Sequence, residues 1–203
     1  MHIELNNVWK RYNAGWIIKA LDHNFNSGES HAVVGPNGSG KSTLIQTISG
    51  LLSPSKGEIK YTLDGSAIDR DDIYNYVAVG AAYAEMDEEL TATELFNHIT
   101  KFKTFYTNDV SDFLEIADLK KEKHKSINGY SSGMKQRLNI AIALLMDVPL
   151  LLLDEPSSFL DESKLQWFDD MLSEYGRNKT IIIASNDERD LKNCSNRLEM
   201  VAL

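Results

Sequence analysis

The sequence predicts an α/β fold with a mainly parallel sheet at its core, and three stretches carry that expectation. Gly35-Pro36-Asn37-Gly38-Ser39-Gly40-Lys41-Ser42-Thr43 fits G-x-x-x-x-G-K-[ST]. The apolar run Ala32-Val33-Val34 precedes it, and Leu44, Ile45 and Ile48 follow at helical spacing, so the motif joins a strand to a helix. Leu150 to Leu153 are four consecutive leucines ending in Asp154-Glu155, the pattern of a strand buried on both faces of a parallel sheet. Lys164 to Tyr175 as a helix and Thr180 to Ala184 as a strand supply the last βα unit.

Taken in order, Ile3, Leu5 and Val8 predict a first strand, with Lys10-Arg11-Tyr12-Asn13 as the turn after it. Ile17-Ile18 and Leu21 to Phe25 read as two further strands, ended by Asn26-Ser27-Gly28, and Glu29 to Val34 as the strand feeding the glycine-rich loop. Gly50 closes the following helix, and Pro54 and Gly57 keep the next stretch irregular. Glu58 to Leu63 alternates as a strand with Asp64-Gly65 as its turn, and Tyr76 to Val79 is a short strand. An acidic loop through Glu85, Asp87, Glu88 and Glu89 leads to Thr91-x-x-Glu94, a capping box opening a helix with Leu95, Phe96, Ile99 and Phe102 on one side. Val110, Phe113, Leu114 and Ile116 mark a second helical piece, and Lys120 to Lys125 a solvated helix end or loop. Tyr130 to Arg137 precedes a strong helix that runs through Met146.

Composition narrows the function classes. The chain has 203 residues, 42% hydrophobic and 25% charged, enough for one α/β core carrying small subdomains. A net charge of −9 without a basic stripe argues against duplex nucleic acid as a partner. Cys194 stands alone, which excludes an internal disulfide and suits a reducing cytosol. No apolar run approaches a membrane span, and Met1-His2-Ile3-Glu4 lacks the features of a signal peptide, so the expectation is one cytosolic unit.

The glycine-rich loop carries the chemistry. Its glycines let the backbone point several N–H groups at one anion, and the helix behind it adds the positive end of its dipole. Lys41 is placed for the β- and γ-phosphates of a nucleoside triphosphate, and the Ser42 hydroxyl for Mg²⁺. The end of the Leu150–Leu153 strand is where parallel sheets place ligands, so Asp154 and Glu155 belong to the same site.

With these motifs in this order, the whole chain resembles an ATP-binding-cassette (ABC) ATPase subunit. The resemblance implies a P-loop NTPase fold with a RecA-like core, an antiparallel β subdomain and an inserted helical subdomain. These would occupy about 1–80 with 140–203, and about 81–139, of a single domain over 1–203. It implies that Gly35, Pro36, Asn37, Gly38, Ser39, Gly40, Lys41, Ser42 and Thr43 bind ATP. Asp154 would hold Mg²⁺ through water together with Ser42, and Glu155 would act as general base on the attacking water. Ser131-Ser132-Gly133-Met134 resembles the signature LSGGQ, with Ser132 for the first glycine and Met134 for glutamine. Ser132 and Gly133 would then bind the γ-phosphate of ATP held by a second subunit. Ser158-Phe159-Leu160-Asp161 resembles the D-loop, and Tyr12 sits where the family stacks an aromatic on adenine, with Trp16 as the other candidate.

Two residues of the family pattern are missing. The glutamines are Gln46, Gln136 and Gln166, so none stands at the Q-loop position near Ala82. The last histidine is His124, and Asn186 occupies the switch position as the catalytic candidate there. Both losses bear on hydrolysis rather than on ATP binding. The resemblance implies an ATPase subunit working as a homodimer or as a heterodimer with another cassette. It would serve a separate integral-membrane transporter subunit, peripheral on the inner face of the cell membrane. Short stand-alone chains of this kind resemble the ATP-binding subunits of small exporters, haem-export types included. The competing reading is a regulatory clamp that closes on ATP and hydrolyses little. DNA-repair and translation factors of the family carry two cassettes or a long coiled coil, and a GTPase would carry N-K-x-D; neither pattern is present.

Overall fold

Alternation of buried and open side chains builds the first sheet. In β1 (His2–Tyr12), Ile3, Leu5 and Val8 point into the core, and β2 (Gly15–Phe25) pairs with it antiparallel. The computed structural model describes residues 1–13, 15–81 and 86–202. In chain order there follow β3 (Ser30–Val34), α1 (Lys41–Ile48), β4 (Lys56–Leu63), β5 (Ser66–Ile68) and β6 (Val77–Ala81). Then come α2 (Ala92–Ile99), α3 (Val110–Ile116), α4 (Ser132–Leu145), β7 (Leu150–Asp154), α5 (Glu162–Tyr175), β8 (Thr180–Ala184), α6 (Glu188–Leu191) and β9 (Asn196–Glu199).

Contacts divide the chain into two compact units. The first comprises Met1–Val79, Pro149–Glu155 and Asn178–Leu203, and the second Gly80–Val148 and Pro156–Arg177. The boundaries read from the sequence lie near 80 and 139; by contacts, 140–148 and 156–177 group with the helical unit.

Two sheets make the first unit. One has the order β2-β1-β4-β5 and is antiparallel. The other has the order β6-β7-β8-β3-β9, with β7, β8, β3 and β9 pairing in parallel. The four leucines of β7 are wholly buried between β6 and β8, as a continuous apolar strand requires. Ile3, Leu5, Phe25, Leu44, Ile48, Tyr61, Leu150, Leu152 and Ile182 share one core. Tyr61 enters that core because its hydroxyl donates to the carbonyl of Ile48 at the end of α1, at 2.8 Å, and burial pushes its pKa up to about 12.

The second unit is mainly helical. The capping box at α2 forms as the spacing predicts: Glu94 N donates to Thr91 Oγ1, and Thr91 N donates to the Glu94 carboxylate. Phe96 stacks on Phe113 at 4.1 Å between ring centres and meets the Phe105 ring edge to face. Leu138, Ile140, Ala141, Leu144 and Leu145 bury the inner face of α4, and the Trp167 indole donates to the carbonyl of Ile116.

Four sequence-based expectations are corrected. Lys10-Arg11-Tyr12 is not a turn but the end of β1, because β2 continues the pairing to Tyr12↔Gly15. Ile17-Ile18 and Leu21–Phe25 are one strand, and Ala20 (φ 45°) is a bulge inside it rather than a break. Phe102 lies beyond the end of α2 and is 72% exposed, since the helix stops at Ile99. Finally, α6 and β9 follow β8, and β9 adds a strand to the free edge of β3. Glu85 and the Q-loop position near Ala82 lie outside the described residues.

Candidate nucleotide-binding site

The turn out of β3 cannot be made by residues with side chains at every position. A Cβ on Gly35 would stand 2.2 Å from the Met200 carbonyl oxygen, and one on Gly40 would stand 2.7 Å from Ile17 Cγ2. Gly40, at φ 98°, opens α1 in a left-handed conformation with no side-chain cap, which leaves the first-turn amides of α1 for an external acceptor. Ser39 N donates to the Pro36 carbonyl, and Lys41 Nζ folds back to donate to the carbonyls of Gly35 (2.8 Å) and Pro36 (3.5 Å). Lys41 is thus buried with its ammonium held in the bowl of the loop. Ser39 Oγ is buried with no hydrogen-bond partner among the described residues.

A cavity of about 360 Å³ opens on this loop, lined by Tyr12, Ile17, Asn37, Gly38, Gly40, Lys41, Ser42, Thr43 and Glu155. Eight of those nine are sequence-predicted site residues; Gly35, Pro36 and Ser39 form the loop's base behind them. Ile17 is the member that sequence reasoning missed. The register of β1 on β2 leaves it as an extra residue in a bulge, which no local pattern announces. Trp16 faces elsewhere: its ring packs edge to face on Trp9 at 5.1 Å, and it is not among the lining residues.

Two carboxylates end β7, and their surroundings differ. Asp154 is held in the strand, where burial foremost, then the nearby Glu155 charge, push its pKa above the usual value, opposed by a hydrogen bond from Ser42 and the Lys41 charge. Its Oδ1 is buried with no hydrogen-bond partner among the described residues. Glu155 lies at φ 49°, a backbone state that a side-chain residue adopts at a cost of order 1–3 kcal/mol. Its N–H donates to the Ala184 carbonyl at 2.8 Å, which fixes the bend that turns its side chain into the cavity. An unpartnered carboxylate oxygen beside a serine hydroxyl suits a hard cation, and Mg²⁺ takes one or two protein ligands and completes its shell with phosphate and water. The residues present therefore fit a magnesium ion.

Asn186 follows β8. Ser185 Oγ donates to the buried Asp190 carboxylate at 2.6 Å and accepts from Asp187 N, which shapes the loop. The Asn186 amide then donates to Asn37 Oδ1 at 2.9 Å, so the switch position touches the glycine-rich loop. Ser132 and Gly133 are in the other unit, in the first turn of α4, and do not line the cavity. The cap there is Ser131, whose hydroxyl accepts from Met134 N at 3.3 Å. A Cβ on Gly133 would stand 2.9 Å from the Phe159 carbonyl, so this turn and the D-loop segment are closely fitted.

Residues 18–158 match the family described as ABC transporter. YxlF of Bacillus subtilis (strain 168), an uncharacterized ABC transporter ATP-binding protein, is 34% identical over 91% of this chain, which spans 62% of YxlF's own length. CcmA of Brucella abortus (strain 2308), a cytochrome c biogenesis ATP-binding export protein, is 32% identical over 91% of this chain and 85% of its own. The dimeric structure of MJ0796, a bacterial ABC transporter cassette, superposes with a TM-score of 0.82 at 26% identity, over 98% of this chain and 94% of that one. A post-hydrolysis dimer of MJ0796 bound to ADP and Pi superposes with a TM-score of 0.80 at 25% identity. The chain belongs to the ABC transporter family, as an ATP-binding domain of the P-loop NTPase fold.

Proposed function

We propose that this domain binds ATP with Mg²⁺ in the cavity over the glycine-rich loop and hydrolyses it slowly, with Glu155 as the general base. The observation that carries the reading is the convergence of Lys41, Ser42 and Glu155 on one cavity beside Asp154, whose Oδ1 is buried without a partner among the described residues. Lys41 exchanges its bonds to the Gly35 and Pro36 carbonyls for phosphate oxygens, and the free amides of α1 take up the remaining charge. Ser42 and, through water, Asp154 would hold the metal, which when bound would neutralise developing charge on the phosphates. Glu155 orients the attacking water and accepts its proton. Asn186 donates a single neutral hydrogen bond where an imidazole could also carry charge, and that slows turnover.

The family's dimeric members support an ATP-dependent, head-to-tail dimer in which Ser132 and Gly133 complete the site of a second cassette, homologous or identical. The relatives named as ABC transporter ATP-binding and export proteins support docking of this domain on the inner face of a separate integral-membrane subunit; among the described residues no helix is long and apolar enough to cross a membrane. The Asn186–Asn37 bond favours a second reading, a regulatory clamp with little hydrolysis. Phosphate release separates the two. Under the ATPase reading the parent turns over with Mg²⁺, and Glu155→Gln lowers the rate at least about 100-fold. Equal rates in parent and variant would remove Glu155 from its assigned role, and no turnover by the parent, with or without a membrane partner, would leave the clamp.

A further inference from the structure

The tip of the β1–β2 hairpin overruns its neighbour. Pairing of β1 with β4 ends at Trp9↔Lys56, and among the described residues Lys10, Arg11 and Tyr12 beyond it pair only with β2. The open side is held by Ser53–Ser55: Lys10 Nζ donates to the Ser53 carbonyl at 2.7 Å, Arg11 N donates to Ser55 Oγ at 3.1 Å, and Ser55 N donates to the Trp9 carbonyl at 2.7 Å. Lys56 Nζ stands 5.6 Å from the Trp9 ring and 5.4 Å from the Trp16 ring, so the root of the hairpin is pinned as well. With its ammonium anchored in this way, Lys10 also lies 5.6 Å from the centre of the Tyr12 ring, and Tyr12 lines the cavity.

We infer that Lys10 is a positioning residue for the nucleotide base: fixed on the Ser53 carbonyl, its ammonium covers one face of the Tyr12 ring and presents the other to a purine. The inference rests on the nucleotide reading of the cavity and adds what selects the base. A ring has two faces, so a cation seated on one directs a flat ligand to the other. The cation also draws electron density from the phenol ring, which makes it a better stacking partner for an electron-rich adenine. The tether matters because an unanchored lysine samples many rotamers and would cover the ring only part of the time. Among the described residues the Lys10 ammonium bonds the Ser53 carbonyl and faces the Tyr12 ring, neither of them a phosphate-binding group, so its effect is confined to ligands that carry a base.

The test compares Lys10→Met, which keeps most of the stem, with Lys10→Arg, which keeps the charge. Calorimetry on the full chain measures ATP and inorganic tripolyphosphate, each with Mg²⁺, in the parent and in a Tyr12→Leu background. Lys10→Met is expected to weaken ATP by about three- to tenfold and leave tripolyphosphate unchanged. Lys10→Arg should recover most of the loss, and in the Tyr12→Leu background Lys10→Met should have no further effect. Equal weakening of both ligands, an unchanged ATP affinity, or a full effect without Tyr12 would each overturn the inference. A parent that binds tripolyphosphate as tightly as ATP would overturn it while leaving the phosphate site standing. A parent that binds neither ligand would overturn the nucleotide reading and the inference with it.

Discussion

Helices α1 and α4 both begin on small residues, yet their first turns are built in opposite ways. At α1 the cap is Gly40 in a left-handed conformation with no side-chain acceptor, and the loop before it curls around the Lys41 ammonium. At α4 the cap is Ser131 in extended backbone, and its hydroxyl already takes the Met134 amide. The first helix start is complete as an anion site within its own unit. The second is a self-satisfied cap, so in the proposed dimer the γ-phosphate of a second cassette would reach it only by exchange.

The sharpest way to break this contrast is Lys41→Ala. It should lower ATP affinity by at least about 100-fold in calorimetry, because removal leaves the phosphate charge in a half-buried loop without its cation. Retained affinity would mean that the α1 loop is not the primary anion site. Gly133→Ala probes the other start. It should slow phosphate release by about ten- to 100-fold, by pressing on the Phe159 carbonyl where the cassettes would meet in the proposed dimer, with ATP affinity of the monomer retained. Loss of affinity equal to that of Lys41→Ala would erase the distinction between the two starts.

Smaller effects sharpen it. Asn186→His should raise turnover by about tenfold, restoring a donor that can carry charge, with ATP affinity nearly unchanged. A slower variant would show that the site has been rebuilt around the Asn186–Asn37 bond. The smallest effect concerns Asp154. Its folded pKa is raised above the ordinary 3.8, so the native state holds that proton more tightly than the unfolded chain does. Metal-free stability therefore falls as pH rises from 3.8 through the raised value, and Mg²⁺ affinity rises over the same window. Asp154→Asn should raise the metal-free melting temperature near neutral pH by a few degrees, roughly 1 kcal/mol, and abolish stabilisation by Mg-ATP. A lowered melting temperature would show that the buried carboxylate is held by favourable contacts instead.

How much of this was legible in the residues depends on how local each signal is. The phosphate loop is nine contiguous residues between a strand and a helix, and β7 is a run of leucines, so both could be read without knowing any partner. The capping boundary at Thr91 was readable for the same reason. The hairpin was not, because Tyr12 becomes a strand residue only through β2, and Ile17 reaches the loop only through a register shift. Nor was β9: Asn196–Glu199 is four largely exposed residues that form a strand because β3 offers an edge. The left-handed backbone at Glu155 left no mark in the sequence, since glutamate has no special liking for that state.

The β1–β2 register has a consequence for how chains of this type can vary in length. Between Leu5↔His23 and Val8↔Leu21, β1 carries one extra residue, with Asn7 at φ 47°. Between Val8↔Leu21 and Lys10↔Ile18, β2 carries one, with Ala20 at φ 45°, so these two offsets cancel by Lys10, and the extra Ile17 then shifts β2 once more before the tip. A lone deletion in either strand would move every later residue to the opposite face and turn Tyr12 away from the cavity. A matched pair of deletions would leave the tip where it is. Homologous hairpins can therefore drift in length only through coupled insertions or losses on the two strands. Gly57 belongs to the same constraint, because a Cβ there would stand 2.0 Å from the Asn7 carbonyl: a chain that lost the bulge at Asn7 would no longer need a glycine in β4.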